Sequence, residues 1–403
     1  MNLHKTFIYC FLFLYGMISA CSSNSSHKMD KQFQSILSDP SLVNFPGVIL
    51  AVYDMKTDSK WIGVKGLADI EDATPMEEQS RFHVGSVTKL YTAVAVLKLI
   101  DEGKLSLKTK VTDILDSPII YNIPYITQIE VKHLLDHSSG IYGFNNDMEY
   151  IESMLGETSK TGEVWAKEEL IALADSSRAE PFGEPETGSY YGDTNYVLLD
   201  MIVEKVAGIS LREYITDEFI IPLRLSNTGY FDVSPDPNQF EISATTQGYI
   251  KNSEIIESII NISDRFPRLQ DSLINTTNAG EQIDGGAAII SNTDDLITFS
   301  SALYSGELLS EKSMDFLLAV NDSLKEQEKG TDEQRILRTY NRDSGIVYTS
   351  QGDGPSGFHS VLAYDPDTKL IIVAYTNVFG YFNEHNILLN MVDRIIKISE
   401  YGS

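Results

Sequence analysis

Ser86 and Lys89 stand three residues apart in Ser86-Val87-Thr88-Lys89, where the apolar, helix-prone run Thr88–Glu102 begins. Positions i and i+3 share one helix face, so the hydroxyl and the ammonium can meet. A serine becomes a useful nucleophile when a neighbour takes its proton. The first turn of a helix adds the positive end of its dipole, and partial burial is expected to lower the pKa of Lys89 so that it helps remove the proton. The spacing alone is weak. Ser25 and Lys28 repeat it in a polar stretch, and an isolated serine at a helix start reads as a cap for backbone N–H groups.

The surrounding segments give the spacing its meaning. Phe82–Lys89 (FHVGSVTK) resembles the active-site segment of the class C β-lactamase-related serine hydrolases, a family of penicillin-binding D,D-peptidases, D-aminopeptidases and carboxylesterases. Leu134–Ile141 (LLDHSSGI) resembles a turn of that family. Tyr191–Leu199 (YGDTNYVLL) resembles its Tyr-x-Asn/Asp motif and the helix that follows, and Gly285-Gly286 with Ser291–Leu296 resembles a later segment. The likeness runs in family order from about residue 30 to about 397. It implies an acyl-enzyme on Ser86. Tyr191 would act as a phenolate base stabilised by Lys89, since an ordinary tyrosine pKa near 10 needs a cation to serve at neutral pH. Asp193 would orient Lys89 and the substrate amide. The implied fold is α/β (α+β): a β-lactamase/D,D-peptidase-like antiparallel sheet flanked by helices, with a mainly helical subdomain inserted. His137 reads as a residue that stabilises its turn. Serine, lysine and tyrosine suffice for acyl transfer, so no cofactor and no metal is expected.

The family's third motif, Lys-Thr-Gly or His-x-Gly, is where this chain departs. The corresponding stretch is Tyr348–His359 (YTSQGDGPSGFH). Ser350-Gln351-Gly352 keeps the glycine, and Gln351-Gly352-Asp353 keeps the spacing to Gly357. Neither begins with Lys or His. Ser350, Gln351, Gly352 and Gly354 are therefore the candidates for substrate binding and the oxyanion hole, which needs only backbone N–H groups. A cation for a substrate carboxylate is missing. His359 is a loose candidate to replace it. The literal Lys160-Thr161-Gly162 precedes Tyr191, out of family order, and reads as a coincidence.

The elements that must hold these residues are legible from pattern. Gly47–Asp54 and Trp61–Ala68 read as a hairpin, and Gly345–Gln351, Phe358–Tyr364 and Lys369–Tyr375 as further strands. Met29–Leu37, Thr88–Glu102, Asn195–Ala207, Asp294–Leu303 and Asn386–Ile398 read as helices. Strands at both ends with helices between them predict one sheet assembled from both termini around a helical insertion.

The N-terminus predicts export. Lys5 precedes the apolar run Thr6–Ala20, which ends in Ile18-Ser19-Ala20-Cys21 and resembles a bacterial lipobox. Residues 1–20 are then a signal, Cys21 carries lipid, 21–28 form a tether, and 29–400 form the hydrolase domain of an exported, envelope-bound lipoprotein. The other cysteine, Cys10, leaves with the signal, which excludes a cysteine nucleophile and a thiolate metal site. With 58 acidic against 31 basic residues, the net charge of −27 excludes nucleic-acid binding, which needs clustered cations. The expected partners are a small-molecule or peptide substrate and a membrane reached through the lipid. Two readings stay open. One is an active hydrolase of esters, small amides or D-amino-acid peptides, tilted away from substrates with a free carboxylate. The other is a weak or inactive penicillin-binding-like protein that binds cell-wall fragments or a partner.

Overall fold

The computed structural model describes residues 29–156, 165–188, 190–231, 244–253, 256–257, 260–279, 285–319, 331–332, 336–342, 345–380 and 384–402. The segments expected to be a signal and a tether, Cys21, and Lys160-Thr161-Gly162 lie outside these residues.

An eight-stranded antiparallel sheet is the frame. Its strands are β1 (Gly47–Asp54), β2 (Ser59–Asp69), β3 (Thr74–Pro75), β4 (Thr331–Asp332), β5 (Arg338–Arg342), β6 (Gly345–Gly354), β7 (Phe358–Asp365) and β8 (Leu370–Thr376), in the order β3-β2-β1-β8-β7-β6-β5-β4. The N-terminal hairpin and the C-terminal strands meet where β1 pairs with β8, from Val48 opposite Thr376 to Asp54 opposite Leu370. The sheet is thus closed by both ends of the chain, as the pattern predicted.

The central strands are covered on both faces, which is why β8 reads as an apolar run with little alternation and β7 is buried along its whole length. Side chains alternate between faces along a strand. Ile49, Ala51, Ile371, Val373 and Tyr375 pack with one large cluster that contains the helices α1 (Thr88–Asp101), α2 (Thr194–Ala207) and α3 (Thr293–Tyr304). Val48, Leu50, Ile372 and Ala374 pack with the other, under Leu388, Met391, Val392 and Ile395 of the closing helix α4 (Glu384–Gly402). α1 is buried on nearly its whole circumference, including Thr88, Lys89 and Thr92. A helix of that kind belongs to a protein interior. No helix among the described residues is long and apolar enough to cross a membrane.

The strand and helix boundaries expected from pattern hold to within about two residues for α1, α2, α3 and the strands β1, β2, β7 and β8; β6 continues three residues past Gln351 and α4 extends further at both ends. The reading missed β5. Arg338–Arg342 (RTYNR) is short and mostly polar, with no period-2 apolar pattern to mark it as a strand.

Burial sets the expected cost of truncation. Ile372 is fully buried in the central strand, so Ile372→Ala is expected to cost about 2–5 kcal/mol in urea unfolding. Val43, 74% exposed, should change stability by less than about 0.5 kcal/mol on the same substitution. Similar effects at the two positions would contradict the two-faced core.

Candidate active site

Ser86 is presented by a tight turn rather than by a capped helix start. Gly85–Val87 form one 3₁₀ turn that runs directly into α1, and no side chain caps it. The Ser86 oxygen is therefore free for other partners, so the isolated reading as a cap is set aside. Gly85 has φ +54°, and a side chain on it would lie 3.0 Å from the Asp353 nitrogen, so glycine is required there twice over. Ser360 Oγ donates to Val84 O at 2.8 Å and ties the turn to β7. On the other side of α1, Thr92 Oγ1 donates to Gly285 O at 2.8 Å, and Ile289 N donates to Thr88 Oγ1 at 3.1 Å. The Gly285-Gly286 segment noticed in sequence is thus a rail for the catalytic helix.

Lys89 is the hub. Its ammonium donates to Ser86 Oγ at 2.9 Å and to Gly286 O at 3.1 Å, and it forms an ion pair with Asp193 Oδ1 at 2.8 Å, off the best line for a hydrogen bond. Both side chains of the pair are less than a tenth exposed. Burial alone would lower the lysine pKa, but the Asp193 carboxylate, with Tyr191 adding to it, holds Lys89 above its usual value. This corrects the expectation of a lowered lysine: Lys89 is a fixed cation and keeps its proton.

Tyr191 completes the cluster. Its hydroxyl donates to Ser86 Oγ at 2.7 Å, and the Lys89 ammonium lies 5.1 Å from its ring centroid. The ring is enclosed by protein but keeps part of its surface open to the cleft. Burial raises the Tyr191 pKa, Lys89 pulls it down, Asp193 pushes it up, and the net shift is upward. The resting side chain is thus a phenol, and the phenolate expected from sequence is not its ground state. Asp193 spends its charge on Lys89 and so weakens the help that Lys89 gives Tyr191.

The turn at His137 clamps this segment. His137 adopts φ +56° and is buried. Its Nδ1 accepts from Asn195 Nδ2 at 3.1 Å and lies 3.4 Å from the Gly192 N–H, while Ser139 Oγ donates to Asn195 Oδ1 at 2.6 Å. The ring packs at a tilt against that of Tyr191, with 4.6 Å between centroids. Burial, with the Lys89 and Arg338 charges, drives its pKa far down. A neutral imidazole accepting at Nδ1 is a clamp and not a base, as expected. His83, buried between Phe231 and Phe358, is likewise neutral, pushed down to about 4 by burial.

Strand β6 forms the other wall, and the structure chooses between its two alignments. A side chain at Gly352 would overlap Val84 O and sit 2.8 Å from the Ser86 nitrogen. Gly352 is therefore the motif's glycine, the register is Ser350-Gln351-Gly352, and the next backbone N–H belongs to Asp353. Asp353, which the sequence reading passed over, lies beside the Gly85–Ser86 turn. Gly354 instead opens the hairpin turn, accepting from Gly357 N at 3.0 Å. Pairing with β5 stops at Arg338 opposite Thr349. Among the described residues, the outer edge of Ser350–Gly354 is left without a partner strand.

A cation from that adjacent strand stands beside this wall. The Arg338 guanidinium lies 5.6 Å from the Tyr191 ring centroid, and its Nη1 donates to Gln351 Oε1 at 3.3 Å. The sequence reading found no positive charge for this wall because it searched only the motif itself. His359 does not fill the role: it is buried in β7, opposite Asp353 and Thr376.

A profile of the beta-lactamase family matches residues 40–390, nearly the whole described chain. The chain belongs to the beta-lactamase family. Within it, the chain is 25% identical over 250 residues to penicillin-binding protein 4* of Bacillus subtilis, covering 62% of this chain and 50% of that protein. It is 32% identical over 146 residues to penicillin-binding protein 4 of Amycolatopsis lactamdurans, covering 36% and 35%. The chain spans half or less of the length of such relatives. In fold it resembles the D-amino acid amidase of Ochrobactrum anthropi SV3, with a TM-score of 0.75 at 22% identity over 92% of this chain and 99% of that one. It also resembles a penicillin-binding protein from Bacillus halodurans, with a TM-score of 0.68 at 23% identity over 90% and 98%.

The Lys89–Asp193 pair is testable by stability. Asp193→Asn is expected to cost about 3–5 kcal/mol at pH 7, as for a buried pair that loses one partner. In the wild type the folded lysine pKa is raised, so its contribution is intact below the unfolded value of about 10.4 and fades only above it. In the variant burial prevails and the folded pKa falls below the unfolded one. Its stability should then recover as pH rises from 7 towards 10. A deficit in chemical denaturation that stays constant over that range would refute the pairing.

Proposed function

We propose that this chain is a membrane-anchored serine hydrolase that cleaves esters, small amides or D-amino-acid peptides through an acyl-enzyme on Ser86. The observation that carries the reading is the convergence of Tyr191 Oη at 2.7 Å and Lys89 Nζ at 2.9 Å on one serine oxygen. No cap or structural bond accounts for that oxygen. The D-amino acid amidase of similar fold was solved with L-phenylalanine amide bound, with a TM-score of 0.76 at 22% identity, and this supports amides among the substrates to try.

The chemistry follows from the distances. Ser86 Oγ attacks the carbonyl carbon in the fraction of molecules whose Tyr191 has already lost its proton to solvent, and the serine proton passes to that phenolate oxygen. The charge that grows on the carbonyl oxygen is met by the backbone N–H groups of Ser86 and Asp353. Tyr191 then gives its proton to the leaving oxygen or nitrogen. Lys89, kept cationic by Asp193, lowers the cost of negative charge on Ser86 and Tyr191 without giving up a proton. Water enters by the reverse route to release the acid.

Because Tyr191 rests as a phenol, its basic form grows with pH. Acylation by a fluorophosphonate probe should therefore quicken from pH 7 to 10, up to tenfold per unit, with no neutral plateau. A plateau beginning near pH 7 would show a preformed phenolate instead. Mass spectrometry of the full chain in detergent should find the probe on the wild type and none on Ser86→Ala. Tyr191→Phe should slow labelling by about 10²–10⁴-fold. An unlabelled, folded wild type would sink the hydrolase reading.

The anchor belongs to the same proposal. The apolar Thr6–Ala20 run, the small residues Ser19 and Ala20, and Cys21 support removal of residues 1–20 and lipidation of Cys21, ahead of a tether over 21–28 and the domain over 29–400. The protein would then sit in the bacterial cell envelope. Cys21→Ser is expected to move it from the membrane to the soluble fraction; an unchanged distribution would count against lipidation.

A further inference from the structure

The oxyanion site of the proposed chemistry has its two donors on segments far apart in the chain. Ser86 N belongs to the turn Gly85–Val87, and Asp353 N to β6. One oxygen can accept from both only if the two segments keep a fixed spacing. Their backbones already touch. A side chain on Gly85 would lie 3.0 Å from Asp353 N, and one on Gly352 would lie 2.8 Å from Ser86 N. Contact of this kind limits how near the segments come. It does nothing to stop them drawing apart.

Ser360 on β7 is the group placed to do that. It stands directly opposite Gly352 in the ladder and is 1% exposed. Its Oγ donates to Val84 O at 2.8 Å and lies 3.5 Å from Gly352 O. Val84 comes just before the Gly85–Val87 turn, and Gly352 just before Asp353. One hydroxyl thus stands between a carbonyl from each wall. Two carbonyl oxygens turned toward one spot repel each other, and a proton between them changes that to attraction. Val84 is fully buried, so water is not at hand to take the place of the serine. Val84 O also accepts from Val87 N at 3.2 Å, which passes the constraint to the turn that carries Ser86.

We infer that Ser360 is a positioning residue: acting through Val84 O, it fixes the spacing at which the N–H groups of Ser86 and Asp353 converge on one substrate oxygen. This rests on the hydrolase reading of the site. Ser360 touches neither the substrate nor the reacting atoms. Its effect falls on stabilisation of the oxyanion and leaves proton transfer by Tyr191 unaltered.

The test uses the full chain in detergent with a p-nitrophenyl ester. In Ser360→Ala, kcat should fall about 10- to 100-fold, the scale of a displaced catalytic group. Acylation and deacylation use the same oxyanion donors, so both slow together and KM should stay within about twofold. Ser360→Cys, a weak donor of similar size, should fall between Ser360→Ala and the wild type. Fluorophosphonate labelling of Ser360→Ala should slow by one factor across about pH 7 to 10, because the base is untouched. Thr376→Val controls for stability. Thr376 Oγ1 is buried and donates to Gly47 O at 2.9 Å, a bond of the same kind between β8 and β1. Its loss should cost similar stability in urea and leave kcat within about twofold. An unchanged kcat in Ser360→Ala, a loss as large in Thr376→Val, or a changed pH slope of labelling would each overturn the inference. Amide deuterium exchange separates it from the reading beneath it. In Ser360→Ala, exchange should quicken in the segments around Ser86 and Asp353. A wild type that neither cleaves the ester nor takes the probe, with exchange that responds in this way, removes the hydrolase reading alone. An active wild type whose exchange and kcat ignore Ser360→Ala removes Ser360 alone.

Discussion

A charged ammonium held in a nearly dry interior is the constraint around which this fold is arranged. Lys89 lies in a helix buried on nearly its whole circumference, and its ammonium is met by the Asp193 carboxylate, Gly286 O and Ser86 Oγ. A cation placed there without such partners would cost several kcal/mol. Each partner comes from a different segment of the chain. Ser86 comes from the turn before α1, Asp193 from the start of α2, and Gly286 from the segment before Ile289–Ser291. One ammonium therefore obliges three segments to meet, and the meeting point is the nucleophile.

The pair with Asp193 decides how the chemistry is divided. In a cluster of lysine, tyrosine and serine, either lysine or tyrosine could be the group that gives up its proton. Asp193 settles this by fixing the lysine as a cation. Tyr191 is then the only group of the two that can carry the proton back and forth, and burial makes it a reluctant acid at rest. A reluctant acid is a strong base once deprotonated. The site therefore works through the fraction of Tyr191 that is deprotonated, and that fraction grows with pH.

The sequence carried the parts of this that are local. α1 was legible because Thr88–Glu102 is apolar all round and ends at Gly103, and β8 because Lys369–Tyr375 is β-branched and buried on both faces. Ser86, Lys89, Tyr191 and Asp193 were found through motifs whose spacing is set by single turns. Three things were out of reach for the same physical reason. The lysine pKa depends on a carboxylate 104 positions away, the choice of Gly352 over its neighbours depends on contact with the Ser86 backbone, and Arg338 lies on a strand whose relation to β6 is lateral. Charge balance and close approach are properties of neighbours in space, and a motif records neighbours in sequence.

The departure at the third motif shows what this wall must keep and what it can relocate. Gly352 must remain glycine because a side chain there would overlap the carbonyl of Val84 and crowd the amide of Ser86. That restriction protects the backbone geometry of the oxyanion site, which no other residue can supply. A cation faces no such restriction. A guanidinium on a long stem can approach the same space from the next strand, provided something fixes its direction, and the Gln351 amide does this without adding charge. Had Gln351 been an acid, it would have neutralised Arg338 and erased its value to an anionic ligand. In a chain with a net charge of −27 the surface field discourages anions, and Arg338 is a positive charge set beside Tyr191 within that field.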